Sequence, residues 1–236
     1  MTKKILLEIS VESVDAAAAA ERGGADRIEL CADLSAGGLT PDAALICAVR
    51  QQIQIPIFVM IRPRAGDFVY SSSEFAQMKK SVAAAKDSGA SGLVFGILKT
   101  DRTVDIDRTR ELVELAQPLP VTFHRAFDAC PDLAQALGGV LRSGASRILT
   151  SGGAASAPEG TDNLATLVAA AGKRVTVVPG SGINAENILQ LAAATRAQEF
   201  HSGLSSVLHQ HTEDYVQFEK EVLAMVEMLS LLTMDN

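Results

Sequence analysis

Eight short β-rich runs, each followed by an Ala/Leu-rich stretch of helical character, alternate along the whole chain. The expected strands lie near Ile5–Ser10, Arg27–Cys31, Pro56–Arg62, Gly92–Leu98, Pro120–Arg125, Arg147–Ser151, Arg174–Pro179 and Gln198–Ser202. The helical stretches are Ser13–Gly23, Pro41–Gln52, Ser73–Gly89, Asp107–Ala116, Asp132–Gly144, Asp162–Ala171, Asn184–Thr195 and Asp214–Thr233. Strands separated by helices pair in parallel and carry the helices on their outer face. A chain of 236 residues is close to the roughly 250 of one (β/α)8 barrel. The expected fold class is therefore α/β, a single (β/α)8 TIM barrel, with residues 1–236 as one domain.

One αβ joint recurs. Gly24-Ala25-Asp26-Arg27-Ile28, Gly89-Ala90-Ser91-Gly92-Leu93 and Gly144-Ala145-Ser146-Arg147-Ile148 precede the second, fourth and sixth strands. In each, a glycine just past a helix supplies the left-handed residue that ends it. An open doubly wound sheet is the competing fold. It would place a Gly-x-Gly-x-x-Gly turn after the first strand, and Ser10 is followed by no such turn.

Composition narrows the function. Net charge is -7, and the lysine and arginine residues form no run longer than pairs such as Lys3-Lys4 and Lys79-Lys80. Nucleic-acid binding needs a basic stripe, so it is not expected. Apolar runs are strand-sized, short of the ~20 residues of a membrane helix. The N-terminus shows no apolar leader, which predicts a cytoplasmic protein. Cys31, Cys47 and Cys130 are an odd set without Cys-x-x-Cys spacing, which argues against a disulfide framework or a zinc knuckle. No organic cofactor is indicated.

Inward-facing residues at the C-terminal strand ends line the site of a barrel. The first, second and eighth strands carry Glu8, Glu29 and His201 there, and the fifth carries His124. Buried carboxylates need partners. Glu8 and Glu29 are read either as ion pairs with Arg62 or Arg27, or as acid/base groups alongside His124 and His201. Arg62, Arg64 and Arg125 offer guanidinium groups to a carboxylate or phosphate. Ser151-Gly152 and Gly180-Ser181-Gly182 offer backbone amides to the same anion, with Asn184 as the following helix cap. The alternatives are internal salt bridges for the arginines and plain tight turns for Gly152, Gly180 and Gly182. Cys31 is either a small buried hydrophobe or a soft-metal ligand with Met60 nearby. Cys47 is expected in the core of the second helix. His209-x-His211 reads as a solvated helix lead-in.

Four motifs stand in order: Glu29-Leu30-Cys31 with Gly37-Gly38-Leu39-Thr40-Pro41, Ile61-Arg62-Pro63-Arg64 with Gly66-Asp67-Phe68-Val69-Tyr70-Ser71, Thr122-Phe123-His124-Arg125-Ala126-Phe127-Asp128, and Leu149-Thr150-Ser151-Gly152-Gly153. Together, from about Leu6 to Ser206, they closely resemble the CutC family of copper homeostasis proteins. The resemblance implies a TIM barrel, a cytosolic homo-oligomer and copper, as Cu(I), bound through cysteines. Cys31 stands at the family's Glu-Leu-Cys position. Cys47 is similar to a second cysteine taken as a copper partner in some members. Where other members carry cysteine after the first strand, this chain reads Ile9-Ser10-Val11. Two functions follow: a copper-handling protein, or a barrel enzyme acting on a small anionic metabolite.

Overall fold

The computed structural model describes residues 4–204 and 215–234. The strands are β1 (Leu6–Val11), β2 (Arg27–Leu30), β3 (Ile57–Met60), β4 (Gly92–Phe95), β5 (Val121–Phe123), β6 (Arg147–Thr150), β7 (Thr176–Pro179) and β8 (Glu199–Ser202). The helices are α1 (Val14–Arg22), α2 (Ala43–Gln52), α3 (Ser72–Asp87), α4 (Ile106–Ala116), α5 (Leu133–Ser143), α6 (Thr161–Ala171), α7 (Ile188–Thr195) and α8 (Tyr215–Met234). The strands form one eight-stranded sheet in the order β7-β6-β5-β4-β3-β2-β1-β8, and every ladder is parallel. A single parallel bridge between Gly180 and His201 joins the ends of β7 and β8. The fold is the (β/α)8 barrel the alternation predicts.

Local chemistry sets the element ends. Ser13, Asp42, Asp105 and Asp132 accept backbone N–H bonds as N-caps of α1, α2, α4 and α5. Ser71 and Glu74 form a reciprocal capping box at α3. Gly24, Gly89 and Gly144 all have φ between 85° and 96°, as the repeated joint requires. One boundary moves. Asn184 does not cap α7; its carbonyl accepts from the Asn187 and Ile188 amides, so a turn precedes a helix that begins at Ile188.

Most buried apolar side chains fill the shell between sheet and helices, where Ile9, Ile28, Val59, Phe95, Phe123 and Phe200 are almost fully enclosed. On α8, Phe218, Val222, Met225 and Leu229 recur every three or four residues and face inward. Gly23 lets this helix approach α1, because a Cβ there would lie 2.7 Å from Val222 Cβ. A second, small apolar cluster holds Cys31, Phe58, Met60 and Val94, with Leu34 packed against it. The inner face of the strands also carries the buried charged residues Glu8, Arg27, Glu29 and Arg147.

Candidate functional site

Arg27 and Arg147 occupy the same position in two copies of the αβ joint, the first residue of β2 and of β6. Gly92 holds that position in the third copy. The ring of Phe58 fills the space, 2.5 Å from where a Gly92 Cβ would stand. Both guanidinium groups lie over this ring, at 4.5 Å for Arg27 and 4.9 Å for Arg147. Above the ring they meet two carboxylates. Arg27 bonds Glu8 at 2.5 Å and Glu199 at 2.6 Å. Arg147 reaches Glu199 at 2.8 Å and Glu8 at 3.2 Å, and donates to Thr122 Oγ1. The expected Glu8–Arg27 pair is therefore present. Arg147 and Glu199 complete it, and the repeated joint was the sequence signal that could have found Arg147.

His201 links this ionic floor to the next layer. Its Nδ1 lies 2.8 Å from Glu8 Oε1 and 3.4 Å from Glu29 Oε2. Glu29 Oε1 accepts from the Cys31 thiol at 3.4 Å. Burial raises a carboxyl pKa, but Arg147, Arg27 and His201 together hold Glu8 well below the ordinary range. Among the described residues no arginine stands within ion-pair distance of Glu29; burial, with Glu8 nearby, outweighs the pull of His201 and the weaker one of Arg147 and leaves its pKa raised. Burial opposes charge on His201, yet Glu29 and Glu8 outweigh it and hold the imidazole pKa up. Burial and then the Glu29 carboxylate push the Cys31 thiol well above its usual value. Among the described residues, Glu8, Glu29 and His201 offer ligand atoms within 4.8 Å of one another.

These groups open into a cavity of about 810 Å³ at the C-terminal strand ends, with Glu29, Cys31, Met60, Arg62, His124 and His201 on its wall. Arg62 does not pair with Glu8 or Glu29, as one sequence alternative had it. Its guanidinium donates to the carbonyls of Ala36, Gly37, Gly38 and Gly66. The ring of Phe68 lies beneath it at 5.0 Å and also packs on His124, with centroids 4.9 Å apart. His124 Nδ1 accepts the Ala126 N–H, which fixes the neutral tautomer with its proton on Nε2. Burial, with Arg62 nearby, lowers the His124 pKa to about 3. Imidazole NMR shifts of His124 should therefore report a neutral ring down to pH 4; a titration near 6.5 would contradict this environment. Gly96 makes room for the ring, since a Cβ there would stand 2.6 Å from Nδ1.

Other expected anion groups are already engaged. Arg64 is tied to Glu74 and Asp67 on the outer rim, with its side chain partly exposed, and does not line the cavity. Asp128 is the anion held by the β6 turn. It accepts from the amides of Ser151 and Gly153 and from Thr150 Oγ1, and it binds Arg125. The Gly152 amide goes to Thr150 Oγ1. Gly180 packs on Leu149, so its missing side chain serves close packing. Ser181 and Gly182 do line the cavity, both at positive φ. Arg125 also borders it and donates to Ser151 Oγ.

The cysteines separate. Cys31 is buried on the cavity wall, whereas Cys47 is exposed on α2 with its thiol toward the Ser88 carbonyl at 3.9 Å. The expectation of a core Cys47 fails on helix phase. Ile46 and Val49 form the buried face, and Cys47 stands about 100° around from Ile46. Cys130 is buried and points at the Ala126 carbonyl, away from the cavity lining. His209 and His211 lie outside the described residues.

Comparison with known proteins agrees with this architecture. The CutC family model matches residues 5–206. The human copper homeostasis protein cutC homolog is 45% identical over 225 residues, covering 95% of this chain and 81% of the human protein. Its mouse counterpart is 48% identical over 201 residues, covering 85% of this chain and 74% of that protein. The crystal structure of CutC from Streptococcus agalactiae superposes with a TM-score of 0.80 at 31% identity, covering 84% of this chain and 98% of that one. The chain belongs to the CutC family.

Proposed function

We propose that the chain serves copper homeostasis, the role for which its human and mouse relatives are named, by binding Cu(I) at Cys31. The observation that carries this reading is the setting of the thiol. Cys31 is 1% exposed, lies on the wall of the strand-end cavity, and already donates to a carboxylate. Soft thiolate donors select Cu(I). Metal binding requires a thiolate. Glu29 is placed to accept the Cys31 proton as the sulfur–copper bond forms, and its raised pKa suits it to keep that proton. His201, within reach of Glu29, offers an imidazole to the same region. Copper is here cargo. Cys47 has no place in this set, because its thiol faces Ser88 on the outer helical layer. A cytoplasmic location and a homo-oligomer accompany the reading, as the family resemblance implies.

Cu(I) competition titration tests it. Wild type should take up one equivalent, Cys47→Ser should behave alike, and Cys31→Ser should lose stoichiometric uptake. Unchanged binding by Cys31→Ser would remove the reading.

A second reading, an enzyme acting on a small anionic metabolite, is favoured by one observation. The cavity is far larger than a single ion needs, and its floor holds a carboxyl and an imidazole that compete for protons, Glu29 and His201. Such a pair can exchange a proton with an organic guest. Glu8 then acts as the partner that orients His201 through Nδ1.

A further inference from the structure

Among the described residues, Arg62 is the buried cation on the cavity wall that has no ion pair, while the unpaired carboxylates of Glu12 and Asp33 on the same lining are exposed. Arg27, Arg147 and His201 face Glu8, Glu29 and Glu199 in one connected cluster. Arg62 is 6% exposed and lies on the cavity wall, yet none of the described carboxylates stands within ion-pair distance of it. All four of its hydrogen-bond acceptors are neutral carbonyls. An enclosed cation with only neutral partners is costly, and a counter-ion relieves that cost. Next to it, across the shared Phe68 ring, stands His124. Its Nε2 is enclosed and has no acceptor among the described residues.

We propose that Arg62 and His124 form a subsite for the carboxylate of a small organic acid, with Arg62 as counter-ion and the His124 Nε2–H as hydrogen-bond donor. This deepens the second reading above and rests on it. Charge selects the ligand class. One uncompensated positive charge beside a neutral imidazole matches a monoanion, and a phosphate dianion would leave a negative charge unpaired in the enclosed wall. The tautomer matters as well. Because the Ala126 amide occupies Nδ1, the ring can only donate from Nε2, so it recognises an acceptor oxygen and not a donor. A carboxylate seated here leaves the rest of its molecule directed into the cavity that also holds Glu29 and His201.

The test uses the full chain with histidine labelled with nitrogen-15, titrated separately with sodium lactate, sodium pyruvate and sodium phosphate. Both carboxylates should saturate and move the His124 Nε2 resonance, with phosphate weaker than either. By isothermal titration calorimetry, which needs no His124 signal, His124→Phe should bind them at least tenfold more weakly, and His124→Gln, which keeps an N–H donor, should recover most of the loss. Arg62→Gln should abolish saturation; because Arg62 also ties down the segment around Gly37, its fold is checked by circular dichroism, and the His124 pair stands if it unfolds. Phosphate binding more tightly than both carboxylates, or wild-type affinity in His124→Phe, would overturn this subsite and leave the anion reading standing. Saturation by none of the three would overturn both.

Discussion

Glu8→Ala is expected to lower stability by about 3–5 kcal/mol, the range for breaking a buried ion pair by removing one partner. Glu8 is 1% exposed and receives Arg27, Arg147 and His201 at once. Its removal leaves two guanidinium groups over the Phe58 ring with Glu199 as their remaining carboxylate. Chemical denaturation at pH 7 measures the loss; a change below 1 kcal/mol would show that the cluster is not the barrel's interior support. The pH dependence carries its own sign. The folded Glu8 pKa lies below its ordinary 4.5, so its contribution is complete above that value and is lost as pH falls through the folded pKa. His201 has the opposite sign. Its folded pKa lies above 6.5, so its contribution is complete below 6.5 and is lost as pH rises through the folded value. Wild type should therefore lose stability on both the acid limb and the neutral-to-alkaline limb. Glu8→Gln should flatten the first.

Gly160→Ala is the second large effect. A Cβ on Gly160 would run into the backbone carbonyl of Ser151, and a backbone atom cannot turn aside as a side chain can. Overpacking of this kind costs about 1–3 kcal/mol, and more where backbone must move. The damage should be local as well. The Ser151 amide is held by Asp128, which also holds the Gly153 amide and Arg125. Thermal unfolding should show a fall of about 4 °C or more, and hydrogen exchange should rise at Ser151 and Gly153. A variant with wild-type melting and protection at those amides would mean that the α6 entry yields without cost.

The barrel was legible because its signal is repetitive. Eight alternations and three copies of one joint leave few topologies, and the glycines of that joint have the positive φ the reading required. The strand-end residues were legible through period two. Glu29, Cys31, His124 and His201 face one cavity because alternate strand positions point inward. Partnership was not legible. Which acid meets which base depends on register between strands that are far apart in sequence, such as Glu8 with His201 across β1 and β8. Arg62 and Arg64 show the same limit. Both were read as offering guanidinium groups to an anion, with internal salt bridges as the alternative; a proline separates them and their chains diverge, Arg62 to loop carbonyls on the cavity wall and Arg64 to Glu74 and Asp67. The glycine-rich turn after β6 was read as offering the Ser151 and Gly152 amides to a guest anion, but the Ser151 and Gly153 amides hold a carboxylate and the Gly152 amide goes to Thr150 Oγ1. That its anion comes from Asp128 of the same chain depends on the placement of the β5 loop. Cys47 was misplaced by one step of helix phase, the smallest error that moves a side chain from core to solvent.

Copper uptake at Cys31 in the strand-end cavity, as proposed, has a direct test. Crystals loaded with one equivalent of Cu(I) and measured across the copper absorption edge would locate the metal directly. The predicted anomalous peak lies inside the cavity, bonded to the sulfur of Cys31. A peak at Cys47 or Cys130, or none in the cavity at full loading, would contradict the account.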